Sequence, residues 1–297
     1  MIRRYRYKKI DAFTDGSSPG NPAACVYPDN LSAIDEEAMQ RIAREMKGFV
    51  SEVAFLFREE DEVFLKYYSS EREVDFCGHA TVAAMYDMIE NDIDMRRKNE
   101  LSIRVKHERL AVINRLDSVN AVFIMAPSPR FMEIPAGEDD IARALGAARE
   151  QIGPGGAGCV NAGLTTLIVP VNSLRACLDL RPEERTLARF CEAAGVDIVL
   201  AFSRETSCAQ RSFRTRVFAP RFGYLEDPAT GSGNAAFAYY LLSRNEWDGE
   251  RCTIEQNGER DSPNIVLLDT VEHRGQRRVI FGGPAVCRID GWYCLHG

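Results

Sequence analysis

Apolar residues along the chain are spaced with the two periods expected of strands and helices. Runs rich in β-branched and aromatic residues predict strands, and apolar residues three and four positions apart predict helices. In the first half, strands are predicted at 4–13, 23–27, 53–57, 63–68, 101–113 and 121–125, with helices at 35–46 and after Thr81. This order is typical of an α+β domain.

The second half repeats the plan in outline. Strands are predicted at 165–169, 198–202 and 214–219, and helices at 183–194 and after Ser232. Two halves with the same order of elements indicate two similar α+β domains, with the active site in the cleft between them. The boundary between the two domains is expected near residues 117–120.

Two short polar turns stand where a predicted strand gives way to an apolar helix. Residues 75–81 read Asp-Phe-Cys-Gly-His-Ala-Thr, and residues 226–236 read Glu-Asp-Pro-Ala-Thr-Gly-Ser-Gly-Asn-Ala-Ala. The first amides of a helix have no acceptor within it, and the helix dipole favours negative charge at that end. Two such turns could hold a carboxylate from both sides.

These turns belong to a set of six motifs that occur in the order of a known family. With residues 11–14, 20–23, 51–55 and 282–286, they cover nearly the whole chain, which resembles the phenazine-biosynthesis PhzF family of isomerases. The resemblance implies a diaminopimelate epimerase-like fold, in which two pseudo-repeated domains each wrap a β-sheet around a central helix. It places an N-terminal domain at 1–117, joined by the last strand at about 285–297, and a C-terminal domain at 118–284.

Composition and charge exclude several other classes. The 297 residues have a net charge of −7 and only short basic clusters, which argues against a nucleic-acid surface. No apolar run is long enough to cross a bilayer and the N-terminus lacks the apolar core of a signal peptide, so a cytoplasmic protein is expected. The nine cysteines form no C-x-x-C pair, which favours free thiols and no metal site.

Glu52 is the candidate acid/base. It begins an otherwise apolar strand, where a carboxylate loses hydration unless it is paired or protonated, and partial burial favours the proton exchange needed near neutral pH. A solvent-exposed glutamate at a strand end is the alternative. In the family, the glutamate of this Ser-Glu motif removes a proton from one substrate carbon and returns one to another, and the resemblance gives Glu52 that role.

His79 and Asp227 complete the predicted catalytic set. A histidine at a helix N-terminus is disfavoured as imidazolium, so His79 is expected to be a neutral hydrogen-bonding partner rather than a simple packing residue. Asp227 precedes Pro228 and could simply set the turn. The corresponding family histidine and aspartate act at the substrate.

The remaining site residues are expected to contact substrate. Glycine permits close backbone approach, and polar residues in the two turns offer hydrogen bonds, although Asn21 could be only a turn residue and Ser232 only a helix cap. The resemblance supports substrate contact. The predicted binding residues are Gly20, Asn21, Cys77, Gly78, Gly231 and Ser232.

We therefore expect a cofactor-independent isomerase that moves a proton between carbons of a small carboxylate-bearing metabolite. No Rossmann, metal or Schiff-base motif occurs in the sequence, and a homodimer is expected from the resemblance. Two alternatives remain open. One is an amino-acid epimerase that uses Cys77, which is disfavoured because the second turn has Thr230 instead of a second thiol, and a threonine hydroxyl needs a strong base beside it. The other is a non-catalytic metabolite-binding protein.

Overall fold

The computed structural model describes residues 2–59, 62–134 and 136–297. The strands are β1 (Ile2–Ala12), β2 (Asn21–Tyr27), β3 (Glu52–Glu59), β4 (Glu62–Ser69), β5 (Glu73–Val74), β6 (Glu100–Arg104), β7 (Arg109–Arg115), β8 (Ala121–Met125), β9 (Arg130–Met132), β10 (Gly158–Asn161), β11 (Thr165–Pro170), β12 (Ile198–Ser203), β13 (Phe213–Phe218), β14 (Glu226–Asp227), β15 (Cys252–Gln256), β16 (Asn264–His273), β17 (Gln276–Gly283) and β18 (Ala285–His296). The α-helices are α1 (Glu36–Glu45), α2 (Gly78–Asn91), α3 (Ile93–Arg96), α4 (Leu116–Val119), α5 (Glu138–Ala144), α6 (Leu174–Leu178), α7 (Glu184–Ala194) and α8 (Gly231–Ser243).

The chain divides into two compact units. The first unit comprises the residues up to Met125 together with Gly282–Gly297, and the second unit comprises Ala126–Phe281. The first unit is therefore discontinuous in sequence, and it contains both ends of the chain.

The sheet of the first unit alternates antiparallel and parallel pairs. Strand β1 lies between β18 and β2 and is antiparallel to both, with Tyr5 opposite Tyr293 and Lys8 opposite Cys25. Strand β2 is parallel to β3, β3 is antiparallel to β4, and β4 is parallel to β6. Strands β6, β7 and β8 then continue as antiparallel neighbours.

The two faces of this sheet are covered by different helices. Side chains alternate across a strand, and the odd-numbered residues of β3, such as Phe55, pack with α1 in one apolar core. Helix α2 packs against β1, β2, β3, β8 and β18, and the Tyr67 hydroxyl lies 2.7 Å from the Thr81 hydroxyl. Ten of the fourteen residues of α2 are buried, which makes it the central helix of the unit.

The second unit has the same succession of strand pairs. Strand β10 is antiparallel to β11, β11 is parallel to β12, β12 is antiparallel to β13, and β13 is parallel to β15, which is antiparallel to β16. The two-residue strand β14 pairs with β13 as β5 pairs with β4. The predicted pseudo-repeat is therefore visible in the hydrogen-bonding pattern of each unit.

Helix α8 is the central helix of the second unit. It packs against β10, β11, β12 and β16, and it is buried from Gly231 to Leu241 except at Ser232. A separate apolar core joins the strands to α5, α6 and α7. The predicted α+β class, with a sheet wrapped around a central helix in each repeat, is confirmed.

Several predicted boundaries differ from the observed ones. The first central helix was predicted to begin after Thr81, but it begins at Gly78, with Cys77 as its N-cap. The strand predicted at 101–113 is two strands, β6 and β7, which pair with each other. Residues 60 and 61, at the tip of the predicted hairpin, lie outside the described residues. In the part of the chain that is described, no helix is long and apolar enough to span a membrane.

Candidate active site

Glu52, Cys77 and His79 form one cluster in the first unit, which we call the Glu52 cluster. Glu52 is the first residue of β3, and its even position puts its side chain on the sheet face covered by α2. Cys77 is the N-cap of α2, and His79 is in the first turn of that helix. The strand start and the helix start therefore bring together residues 25 or more positions apart.

The three side chains are in mutual contact and are largely shielded from solvent. The distance from Glu52 Oε2 to His79 Nε2 is 3.4 Å, and the two side chains are 15% and 9% exposed. Cys77 Sγ lies 3.8 Å from Glu52 Oε2 and 3.5 Å from His79 Nδ1. Glu52 is thus not the exposed strand-end residue that the sequence left as an alternative.

Burial determines the protonation state of His79. It lowers the pKa of the imidazole to about 4, against a smaller opposing effect of a hydrogen bond to the backbone of Pro22. Proline has no N–H, so the Pro22 carbonyl accepts this bond and the ring donates it. A neutral imidazole has one N–H, and its other nitrogen therefore carries a lone pair.

The segment at Gly20 and Asn21 lies beside this cluster. Strands β2 and β3 are parallel, with Ala24 opposite Val53, so both begin at the same sheet edge, and the bond from His79 to Pro22 joins β2 to α2. Gly20 has φ +68°, and a Cβ there would lie 2.7 Å from the Ala12 carbonyl oxygen. Only glycine fits this turn without displacing the backbone.

The N-terminus of α2 lies at the turn for which the sequence predicted anion binding. The amide of Thr81 is used within the helix, where it donates to the Cys77 carbonyl over 3.0 Å. The amides of the first turn, including that of Gly78, have no acceptor within the helix by its geometry. The Cys77 side chain does not cap the helix, so this end suits a bound carboxylate.

The corresponding turn of the second unit contains a buried polar network. Asp227 lies on β14 and Thr230 is the N-cap of α8. The Thr230 hydroxyl donates to Asp227 Oδ2 over 2.5 Å. The threonine therefore has a carboxylate beside it, which the sequence could not show.

Gln256, at the end of β15, organises this network and was not among the predicted site residues. Its Oε1 accepts from the Thr230 amide at 3.0 Å and from the Asn234 side chain at 2.7 Å. Its Nε2 donates to the Asp227 carbonyl at 2.9 Å and to Thr230 Oγ1 at 3.1 Å. Because Thr230 Oγ1 receives this donor, its own proton points to Asp227. A polar pair, Glu255-Gln256, at the end of an apolar strand was the only sequence signal.

Gly231 and Ser232 open helix α8. A Cβ on Gly231 would lie 2.2 Å from the Phe281 ring, so the close contact between helix and strand requires glycine. Ser232 is partly exposed. The predicted residues thus form two groups, each at the start of its unit's central helix: Gly20, Asn21, Glu52, Cys77, Gly78 and His79 in the first unit, and Asp227, Gly231 and Ser232 in the second.

The Glu52 cluster is also a set of potential metal ligands. One carboxylate oxygen, one thiol sulfur and one imidazole nitrogen lie within 4.8 Å of one another. No familiar metal-site spacing occurs in the sequence, because Glu52 is on β3 whereas Cys77 and His79 are at the start of α2.

Comparison with known proteins identifies the family. The family model described as "Phenazine biosynthesis-like protein" (PhzC-PhzF) matches residues 10–291. The uncharacterized isomerase YfhB of Bacillus subtilis is 30% identical over 284 residues, covering 94% of each chain. The uncharacterized isomerase YddE of Escherichia coli K12 is 30% identical over 305 residues, covering 93% of this chain and 94% of its own.

Solved structures share the fold at lower identity. A PhzF family protein of Bacillus anthracis superposes with a TM-score of 0.85 at 22% identity and covers 99% of both chains. A hydroxyproline epimerase of Agrobacterium vitis has a TM-score of 0.58 at 11% identity, covering 99% of this chain and 93% of its own. The chain belongs to the PhzC-PhzF family, has the epimerase-like fold, and is an isomerase of that family.

Proposed function

We propose that this member of the family moves a proton between two carbons of a small carboxylate-bearing metabolite, with Glu52 as the acid/base and without a metal or nicotinamide cofactor. The observation that carries the proposal is the placement of Glu52. Its side chain is only 15% exposed, and the carboxyl group contacts His79 beside the N-terminus of α2. A carboxyl group and a helix N-terminus thus lie together, which supports proton transfer beside a bound anion.

In the proposed reaction, the N-terminus of α2 binds the substrate carboxylate and Glu52 moves the proton. The substrate carboxylate binds at the amides that open α2, where the dipole stabilises its charge and the charge that develops on deprotonation. The Glu52 carboxylate takes a proton from one carbon and, as the carboxylic acid, returns it to another. The carboxylate is regenerated, so no other acid or base is consumed.

His79 orients Glu52 in this scheme. Its ring is neutral, because burial brings the pKa to about 4, and its single N–H is held by the Pro22 carbonyl. The nitrogen bearing the lone pair can then accept a hydrogen bond from the Glu52 carboxylic acid and hold the protonated carboxyl group in position. By the family resemblance, Gly20, Asn21, Gly231 and Ser232 are proposed as substrate-binding residues and Asp227 as a catalytic residue.

A second candidate is an amino-acid epimerase in which Cys77 takes part. The contact of Cys77 Sγ with the Glu52 carboxylate, at 3.8 Å, favours it, because a carboxylate that accepts the thiol proton would make the thiolate base. The second turn offers Thr230 and Asp227 instead of a thiol. Epimerisation through two thiols therefore remains the less favoured candidate.

Solvent-deuterium exchange tests the proposal while also searching for the substrate. Small hydroxy, amino and unsaturated carboxylic acids are incubated with the protein in D₂O and examined by NMR and mass spectrometry. Deuterium at one carbon, with migration of a double bond, supports the isomerase, and inversion at the α-carbon supports the epimerase. Exchange that is the same with Glu52→Gln as with the wild type would contradict the role of Glu52.

We also propose a cytoplasmic homodimer. None of the nine cysteines, all of which lie in the described residues, forms a disulfide, and this is consistent with a reducing compartment. The dimer is proposed from the family resemblance. Sedimentation equilibrium gives the mass in solution, and a monomer across the micromolar range would contradict the dimer. Retention of full activity after dialysis against a chelator is expected if no metal is required.

A further inference from the structure

The Glu52 cluster brings a carboxylate oxygen, a thiol sulfur and an imidazole nitrogen within 4.8 Å of one another. The Sγ–Oε2, Sγ–Nε2 and Nε2–Oε2 distances are 3.8, 3.9 and 3.4 Å. A tetrahedral zinc ion, with bonds of about 2.0–2.3 Å, separates neighbouring ligand atoms by about 3.3–3.6 Å. The three donors therefore form one face of a ligand tetrahedron to within a few tenths of an ångström.

We propose that the Glu52 cluster binds one thiophilic divalent cation, such as Zn²⁺ or Co²⁺, through Glu52, Cys77 and His79. On binding, the Cys77 thiol gives its proton to solvent and bonds as the thiolate. One thiolate, one carboxylate and one neutral imidazole carry two negative charges, which balance the charge of the ion. A neutral assembly avoids the large cost of burying a net charge.

The neighbourhood of His79 supports this site independently of the distances. The bond from the ring to the Pro22 carbonyl is the type of outer contact that orients metal-binding histidines. Because the three ligands leave one tetrahedral position, water or a substrate carboxylate would complete the coordination.

The donor set also selects among cations. Magnesium and calcium prefer oxygen ligands, whereas sulfur and imidazole favour zinc, cobalt and copper. The inference rests on the same residues as the proposed function and concerns its regulation. A bound cation occupies the Glu52 carboxylate that must carry the proton, and zinc is therefore expected to inhibit the isomerase.

Cobalt titration of the reduced, intact protein tests the site without a substrate. We expect one equivalent of Co²⁺ to produce a thiolate-to-cobalt charge-transfer band together with tetrahedral visible bands, both removed by Zn²⁺ and unaffected by Mg²⁺. Cys77→Ser should abolish the charge-transfer band. Glu52→Gln and His79→Gln should weaken binding by at least the roughly 10–100-fold that loss of an outer-shell partner costs.

Matched controls distinguish this site from binding at surface thiols. Cys287 and Cys294 are exposed, and Cys287→Ser or Cys294→Ser should leave the spectrum unchanged. Absence of stoichiometric binding, or a charge-transfer band that survives in Cys77→Ser, would overturn the proposal. If Cys77→Ser fails to fold, His79→Gln tests the site in its place. Undiminished cobalt affinity in His79→Gln would also overturn the proposal. The spectrum needs no turnover, so its outcome is separate from the deuterium-exchange test.

Discussion

At the scale of single residues, the environment of Glu52 decides its chemistry. The same glutamate on an exposed strand end would be a fully hydrated anion, whereas here it shares a buried space with a neutral imidazole and a thiol. In this position the carboxyl group contacts protein side chains where an exposed glutamate would contact water. Glu52 and Cys77 are close enough that only substitution can separate their roles.

We expect Glu52→Gln to lower kcat by about 10²–10⁴-fold while substrate affinity changes little, because the amide keeps the shape but cannot carry the proton. Cys77→Ser should have a mild effect. Steady-state kinetics with the substrate found by deuterium exchange gives both values. The reverse result, with Cys77→Ser inactive and Glu52→Gln near normal, would favour the epimerase, and the absence of exchange with any metabolite would favour a binding protein.

Gly20 provides a second prediction at this scale. Gly20→Ala should lower the free energy of unfolding by about 2–4 kcal/mol, because left-handed strain adds to overlap with the Ala12 carbonyl. Gly16 is the matched control. It also has positive φ, but a Cβ there would meet nothing within 4 Å, so Gly16→Ala should cost only about 1–2 kcal/mol. Equal effects in urea denaturation would show that steric overlap is unimportant.

At the scale of elements, each central helix begins among polar groups that neighbouring strands contribute. In the first unit, β2 and β3 start at the edge where α2 starts. In the second unit, Gln256 at the end of β15 hydrogen-bonds to the turn before α8. The helix ends are thus fixed by neighbouring strands instead of by their own capping side chains, since neither Cys77 nor Thr230 caps its helix through its side chain.

Gln256→Leu tests how much this network contributes to stability. The change leaves the buried Thr230 amide without its acceptor and removes a partner from Asn234, and each unsatisfied group costs about 1–3 kcal/mol. We expect the free energy of unfolding to fall by about 2–4 kcal/mol. Thr253→Val, at a half-buried position of the same strand, should change it by about 0.5 kcal/mol or less. Equal destabilisation by the two variants would contradict the structural role of Gln256.

At the scale of the whole molecule, the chain closes its first unit with its last strand. Strand β18 pairs with β1 from Ile2 opposite His296 to Ala12 opposite Ala285. The core of the first unit therefore includes residues from both ends of the chain, such as Tyr5 and Leu295. Global unfolding should expose the thiols that these packed units protect.

Thiol alkylation reports on this protection. Cys287 and Cys294 are exposed and Cys208 is partly so, whereas the other six cysteines are buried. Burial raises the pKa of Cys191 to about 11 and of Cys177 to about 12, which leaves little thiolate near neutral pH. Mass spectrometry should find Cys208, Cys287 and Cys294 labelled first, and Cys177 and Cys191 only in denaturant. Rapid labelling of Cys177 in the native protein would contradict the packing of the second unit.

The sequence determined the α+β class, the repeated order of elements and the two polar turns, because hydrophobic period and turn chemistry are local properties. The order of its motifs also determined the family. It placed the start of α2 within a few residues, since Cys77-Gly-His follows an extended segment and precedes an apolar helix.

Only the tertiary structure decided the contacts of these residues. The approach of Glu52 to Cys77 and His79 depends on which strand lies beside which helix, and the role of Gln256 depends on a strand that the sequence pattern did not predict. Such contacts join positions 22–29 residues apart, and their donors, acceptors and burial arise only when the chain packs. The local sequence pattern does not predict these contacts, because hydrogen-bond direction and desolvation depend on which residues surround a group in the folded protein.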